Sequence, residues 1–468
     1  MALDIKTPRP ATPLLYGLHD RPSRGASILA AIQHILASLV GIVTPTLIIG
    51  STLGLGAYIP YLISMALFAS GVCTWIQSQR VGPIGSGLLS VQGTSFSFLA
   101  SILAAGMLAK GRGATPEEIL ALLFGVTFIG SFIEIILSQF IHKLKNIITP
   151  IVTGVVITVI GMSLVKVGFT DMAGGFGAAN FGSIENLALA FVVIMVIVAL
   201  SFVQQHTIRL SAVLIGLLVG FVVAIFTGHV DFSQMGGQPL LAIPEPFKFG
   251  FAFDWALFLP ISLIYVITAI ETTGDLTANS VISGEPIKGQ VYMRRIKGGI
   301  LGDGVGSAIA AMFNSFPNTT FSQNNGVIQL TGVASRHVGK YIAVFLVILG
   351  LFPVFGAVST LIPKPVLGGA TLILFGSIAV AGIRILATQT INRKAIYVMA
   401  LSFGFGLGIS LVPNAFQGLP PALTAIIGSP ITLAGLTAII LTLVLPDDPI
   451  VEKPTDSVAI KLPLAEQH

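Results

Sequence analysis

The chain has 468 residues, 54% of them hydrophobic and only 9% charged, and its mean hydropathy is +0.94. A soluble domain carries about 25% charged residues, so this composition excludes a cytosolic enzyme, a disordered protein and a nucleic-acid binder. The net charge of +5 reads as the lysine and arginine excess in the cytoplasmic loops of a polytopic α-helical membrane protein.

Residues 1–25 are polar and proline-rich, with no apolar run of signal-peptide type, and read as a cytoplasmic tail. Apolar runs able to cross the bilayer then begin near Ala26, Gly56, Gly85, Glu118, Ile147, Leu187, Leu210, Trp255, Ile296, Phe316, Tyr341, Val366, Ala395 and Thr424. This is fourteen spans in one membrane domain, residues 26–446, followed by a cytoplasmic tail, 447–468. With both termini inside, nineteen of the 24 Lys and Arg residues fall on the cytoplasmic side. Lys110, Arg112, Lys248 and Lys364 fall outside, and Lys166 lies within a span. That segregation supports the count, because one missed span would scramble it. The single cysteine, Cys73, allows neither an intrachain disulfide nor a cysteine metal cluster.

Several spans carry groups that lipid does not tolerate. The first has Gln33-His34. The third is interrupted by Gly82, Pro83, Gly85, Gly87 and Gly93, with Gln92, Thr94, Ser95 and Ser97 among them. The fourth carries Glu134, expected near its cytoplasmic end and able to reach water. The eighth holds Glu271 and Asp275, four residues apart and so on one helix face. Two carboxylates so placed repel, an arrangement suited to proton exchange during transport. The ninth holds Asp303 between Gly302 and Gly304, and the tenth runs Pro317-Asn318-Thr319-Thr320-Phe321-Ser322-Gln323-Asn324-Asn325-Gly326. Ionisable groups at this depth cost several kcal/mol unless paired and are functional by default.

The fifth and twelfth spans share a pattern. Pro150, Gly154 and Gly161 match Pro365, Gly369 and Gly376 at an offset of 215 residues. Seven spans separate the two copies, and an odd number inverts the second, as in many secondary transporters. The broken third and tenth spans hold matching places in the two halves. Paired interruptions of this kind mark a binding site near the midplane. A carboxylate at Glu271, an amide at Gln323 and an aromatic such as Phe96 or Phe321 suit a planar heterocycle with adjacent N–H and C=O groups.

At these residues the chain resembles the nucleobase–ascorbate transporters (nucleobase–cation symporter family 2), and among them the bacterial xanthine permeases. Gln323-Asn324-Asn325-Gly326, with Thr331 five residues on, matches the family signature. Glu271-Thr-Thr-Gly-Asp275, Gly302-Asp303-Gly304, Gln33-His34 and Ser90-Val-Gln92-Gly-Thr94-Ser95-Phe96 are also similar, and the likeness runs from about Leu18 to Pro446. The resemblance implies a seven-plus-seven inverted repeat. Spans 1–4 and 8–11 would form a core and spans 5–7 and 12–14 a gate, with short strands in the broken spans 3 and 10. It implies that Glu271 and Gln323 bind the purine, joined by Phe96, Ser322 and Ser95. Asp303, Asn324, His34 and Asp275 would support the site and its proton coupling, and Ser429 and Ile431 would lie at a selectivity filter. Some xanthine permeases have Asn where this chain has Ser95, which leaves xanthine and uric acid both open. Gln323, where uracil carriers have Glu, favours an oxidised purine.

The expectation is therefore a proton-coupled symporter for xanthine, or alternatively uric acid, in the inner membrane. It would work as a homodimer in contact with lipid, without cofactor, metal or nucleic acid. The rivals are an anion transporter of the same inverted-repeat fold and an intramembrane enzyme. The second needs an activated nucleophile, and none is visible beside His34.

Overall fold

The computed structural model describes residues 14–141, 149–175, 178–205, 208–209, 211–230, 240–412, 415–416, 418–419 and 427–446. The first half contains α1 (Arg24–Leu53), α2 (Ile59–Gln79), β1 (Gln92–Thr94), α3 (Leu99–Gly111), α4 (Pro116–Phe140), α5 (Pro150–Met172), α6 (Ile184–Ser201) and α7 (Ala212–Phe226). The second contains α8 (Trp255–Ile282), α9 (Gly289–Met312), β2 (Asn318–Thr320), α10 (Ser322–Thr331), α11 (Val338–Leu351), α12 (Val354–Thr360), α13 (Lys364–Ala387), α14 (Arg393–Leu411) and α15 (Pro430–Val444).

Among the described residues eight helices are long and apolar enough to cross a membrane, and four further apolar helices are shorter. The expected starts of three spans, at Ile147, Leu210 and Thr424, and the tail 447–468, lie outside the described residues. Residues 14–20, within the expected N-terminal tail, pack on the protein. Tyr16 bridges Val333 in parallel, and the Ala334 and Arg336 amides donate to the carbonyls of Tyr16 and Leu18.

Helix starts follow the local sequence. Thr115 and Glu118 form a capping box on α4, and Thr149, Ser183, Asn392 and Ser429 accept from first-turn amides of α5, α6, α14 and α15. Proline stands in the first turn of α2, α4, α5, α13 and α15, where its missing N–H leaves no unpaired donor.

The helices pack as two groups. α1–α4 and α8–α11 chiefly contact one another, as do α5–α7 and α13–α15. The tightest pair is α5 with α13, which run antiparallel. Gly154 faces Leu386, Gly161 faces Ala379, and Gly168 faces Leu372. A Cβ at Gly161 would stand 2.3 Å from the Ala379 nitrogen, so the close approach requires glycine there. Gly376, its partner in the sequence repeat, has nothing within 4 Å.

The interrupted third and tenth segments meet inside the first group. β1 and β2 pair antiparallel, with Gln92 opposite Thr320, Gly93 opposite Thr319 and Thr94 opposite Asn318. A Cβ at Gly93 would fall 2.4 Å from Phe321 Cζ. Two three-residue strands satisfy each other's backbone where helix has stopped, which lets irregular backbone exist at bilayer depth.

Candidate functional site

Interruptions of helix before α3 and before α10 turn side chains into the space between the two helix groups. A cavity of about 230 Å3 lies there. One wall comes from the interrupted segments and α8: Phe96, Glu271, Thr319, Thr320, Phe321, Ser322 and Gln323. The other comes from α5 and α13: Ile157, Ile160, Leu374, Ser377, Ile378 and Ala381. The space is smaller than the roughly 300–1,000 Å3 of pockets for drug-sized ligands and suits one small ring system. A larger cavity, about 420 Å3, lies among α1, α7 and α12, but Thr44 is the one polar residue in its lining. It has nothing to orient a polar ring.

The carboxylates at and behind the smaller cavity are held by hydrogen bonds. Ser97 donates from Oγ to Glu271 Oε2 at 2.6 Å. Asp275, one turn along the same helix, accepts from Thr320 at 3.0 Å and from Ser322 at 2.5 Å. The carbonyl of Asp275 accepts from the Asn325 amide at 3.1 Å. Asp303 accepts from Gln77 at 3.2 Å, from Thr319 at 3.3 Å and from Thr272. Gln77 also accepts from the Ser86 amide at 3.1 Å. Asn324 Nδ2 lies 2.7 Å from His34 Nδ1 and joins α10 to α1. His34 Nε2 has no hydrogen-bond partner among the described residues. Phe96 meets Phe375 of α13 edge-on, ring centroids 5.4 Å apart, which makes an aromatic contact across the two groups.

Of the residues singled out by sequence, Glu271, Gln323, Phe96 and Ser322 line this cavity. Asp275, Asp303, Asn324 and His34 stand behind it and are buried: Asp275 accepts from Thr320 and Ser322 of the wall, Asp303 accepts from Thr319, the Asn324 amide donates to the Phe321 carbonyl, and His34 meets Asn324 rather than a lining residue. Ser95 is 2% exposed, is absent from the lining, and its hydroxyl has no partner among the described residues. Ser429 caps α15, and Ile431 is packed in the apolar core; neither lines the cavity. Glu134 corrects an expectation. It does not reach water but is 1% exposed. Thr268 is its polar neighbour, and neither carboxylate oxygen is in hydrogen-bond geometry. The reason is that α4 turns this residue toward α8 and α9, against which the helix packs. Sequence reasoning missed Ser97, Gln77 and Thr272 as carboxylate partners. Ser97, in a broken span, and Thr272, between two intramembrane acids, carried a signal, whereas Gln77, on the unbroken and acid-free α2, carried none. Among the described residues no group of three or more His, Cys, Asp or Glu side chains could hold a metal ion.

Bilayer-length helices around a small cavity, with one wall of broken backbone and the other of intact helix, define a membrane transporter. The model of a permease family matches residues 25–415. The xanthine permease XanQ of Escherichia coli strain K12 is 45% identical over 437 residues, covering 92% of this chain and 94% of XanQ. The xanthine permease XanP of the same strain is 44% identical over 440 residues, covering 93% and 95%. The transmembrane domain of the cyanobacterial bicarbonate transporter BicA shares the fold, with a TM-score of 0.52 at 15% identity, covering 92% of this chain and 99% of that domain. The chain belongs to the nucleobase–ascorbate transporter family. It is a multi-pass membrane permease and not an enzyme.

Proposed function

We propose that this permease is a proton-coupled symporter that imports xanthine, with uric acid as the second candidate. The observation that carries the reading is that Glu271 and Gln323 line one cavity together with Phe96. Glu271 accepts ring N–H bonds, Gln323 pairs with an adjacent carbonyl and N–H, and Phe96 covers the ring face. The relatives named xanthine permeases support the choice of purine. Ser322 would offer its backbone at the start of α10 and Ser95 would act from behind the lining. Asp275, Asp303, Asn324 and His34 would hold the walls and relay the coupling proton. Ser429 and Ile431 would tune access from the α15 side.

The architecture we favour is fourteen spans in a seven-plus-seven inverted repeat, with both termini cytoplasmic, in a bacterial inner membrane. The antiparallel α5–α13 pair and the matched breaks at β1 and β2 support it. Spans 1–4 and 8–11 would be the core and the rest the gate. The core would carry the purine past the gate, and the gate helices would form a homodimer interface embedded in lipid. An anion transporter of this fold is the alternative class. It is disfavoured by the carboxylate in the lining, which contains no basic side chain among the described residues. Uptake of labelled xanthine in cells, competed with uric acid, uracil and guanine and repeated with a protonophore, tests the reading. Competition by uric acid alone and collapse with the protonophore are expected. Competition by uracil, or uptake indifferent to the gradient, would overturn the substrate or the coupling.

A further inference from the structure

We propose that the molecule has a second binding site, for a phosphate group, in a pocket of about 120 Å3 ringed by Arg80, Arg294, Arg295 and Arg336. The site is independent of the purine reading. Arg80 caps the C-terminal end of α2, Arg294 and Arg295 lie in the first half of α9, and Arg336 lies between α10 and α11. His19, from the docked N-terminal segment, completes the rim.

Glu285 lies 2.7 Å from Arg295. Among the described residues no carboxylate lies within ion-pair distance of Arg80, Arg294 or Arg336. Guanidinium groups crowded together repel one another, and a bound anion relieves the repulsion. Burial, then the charges of Arg294, Arg295 and Arg336, hold the Arg80 guanidinium below its ordinary range. An excess of basic residues on one membrane face is a general feature of topology, but it does not require them to converge on one hollow.

Arg80 keeps a φ of 61°, a conformation costly for a side-chain-bearing residue. Its Nε donates to the Gly82 carbonyl at 3.3 Å, and Arg336 Nη2 donates to the Gln79 carbonyl at 3.3 Å. Gly87, at φ 73°, leaves open the place where a Cβ would stand 3.5 Å from Arg336 Nη1 and 3.8 Å from Arg80 Cβ. Several planar N–H forks around a small hollow match the oxygens of a phosphate group. A lipid headgroup and free phosphate share that chemistry.

The test uses the full chain purified in neutral detergent. Inorganic phosphate is titrated calorimetrically, and retention of phosphatidylglycerol, with phosphatidylcholine as control, is read by native mass spectrometry. The double variant Arg294→Gln/Arg336→Gln should weaken binding by about tenfold or more. Arg294→Gln, at an exposed position, serves alone if the double variant does not fold, and Arg294→Lys should retain most of the binding. Phosphate bound by the natural protein and lost by the variant identifies a free-anion site. Phosphatidylglycerol retained without phosphate binding, and lost in the variant, identifies a headgroup site. Binding of neither probe, or equal binding by natural and variant protein, would overturn the proposal.

Discussion

Ser97 Oγ lies 2.6 Å from Glu271 Oε2, so the turn that follows β1 is pinned to the carboxylate of α8. The serine fixes one oxygen of Glu271, and among the described residues no hydrogen bond holds the other. A hydrogen bond to a charged group contributes about 1.5–3 kcal/mol. Ser97→Ala should lower the apparent affinity for xanthine about tenfold, with Ser97→Thr close to the natural protein. Uptake kinetics at matched membrane expression check this, and equal KM values for all three would remove Ser97 from the site.

Gln323 shares the cavity with Glu271. Gln323→Glu would bring a second carboxylate toward the first and delete the amide donor. We expect xanthine affinity to fall by at least about tenfold, since a missing complementary donor leaves the ring carbonyl unpaired. Competition binding with unlabelled xanthine measures it.

The two glycines matched in the internal repeat should respond differently. Gly161→Leu would force α5 away from α13, because the first carbon already meets the Ala379 backbone. We expect at least about 2 kcal/mol of destabilisation from such overpacking and loss of transport. Gly376→Ala has open space around its new carbon, and its thermal midpoint should stay within a degree or two of the natural value, by roughly the scaling of small surface changes. Thermal unfolding in detergent of both variants decides the point.

Thr272 donates to Asp303, which Gln77 and Thr319 also contact in a fully buried network. Thr272→Val keeps the shape and removes one donor, at a cost of about 1–3 kcal/mol for the carboxylate left short of a partner. The fall should appear in the unfolding midpoint and be smaller when the network is already cut by Asp303→Asn. Additive losses would show that the two groups are not coupled.

The polar half of the cavity was legible because bilayer physics makes it so. Glu271, Gln323 and the run from Pro317 to Gly326 are too polar for a lipid-facing helix, and the breaks at Gly82–Gly87 gave the matching segment. The apolar half was not. Ile157, Ile160, Leu374 and Ile378 read in sequence like any lipid-facing residue, since every face of such a helix is apolar. Glu134 shows the same limit from the other side. Its position along α4 could be estimated, but the direction it faces depends on α8 and α9 packing beside it. The pairing of Tyr16 with Val333 joins segments more than three hundred residues apart and has no local signal.

Under the proposed function Glu271 holds the purine directly. Equilibrium binding of labelled xanthine to purified Glu271→Ala, beside natural protein of the same thermal midpoint, tests it most directly. No measurable binding by the variant is expected. Binding within a factor of about two of the natural protein would contradict it.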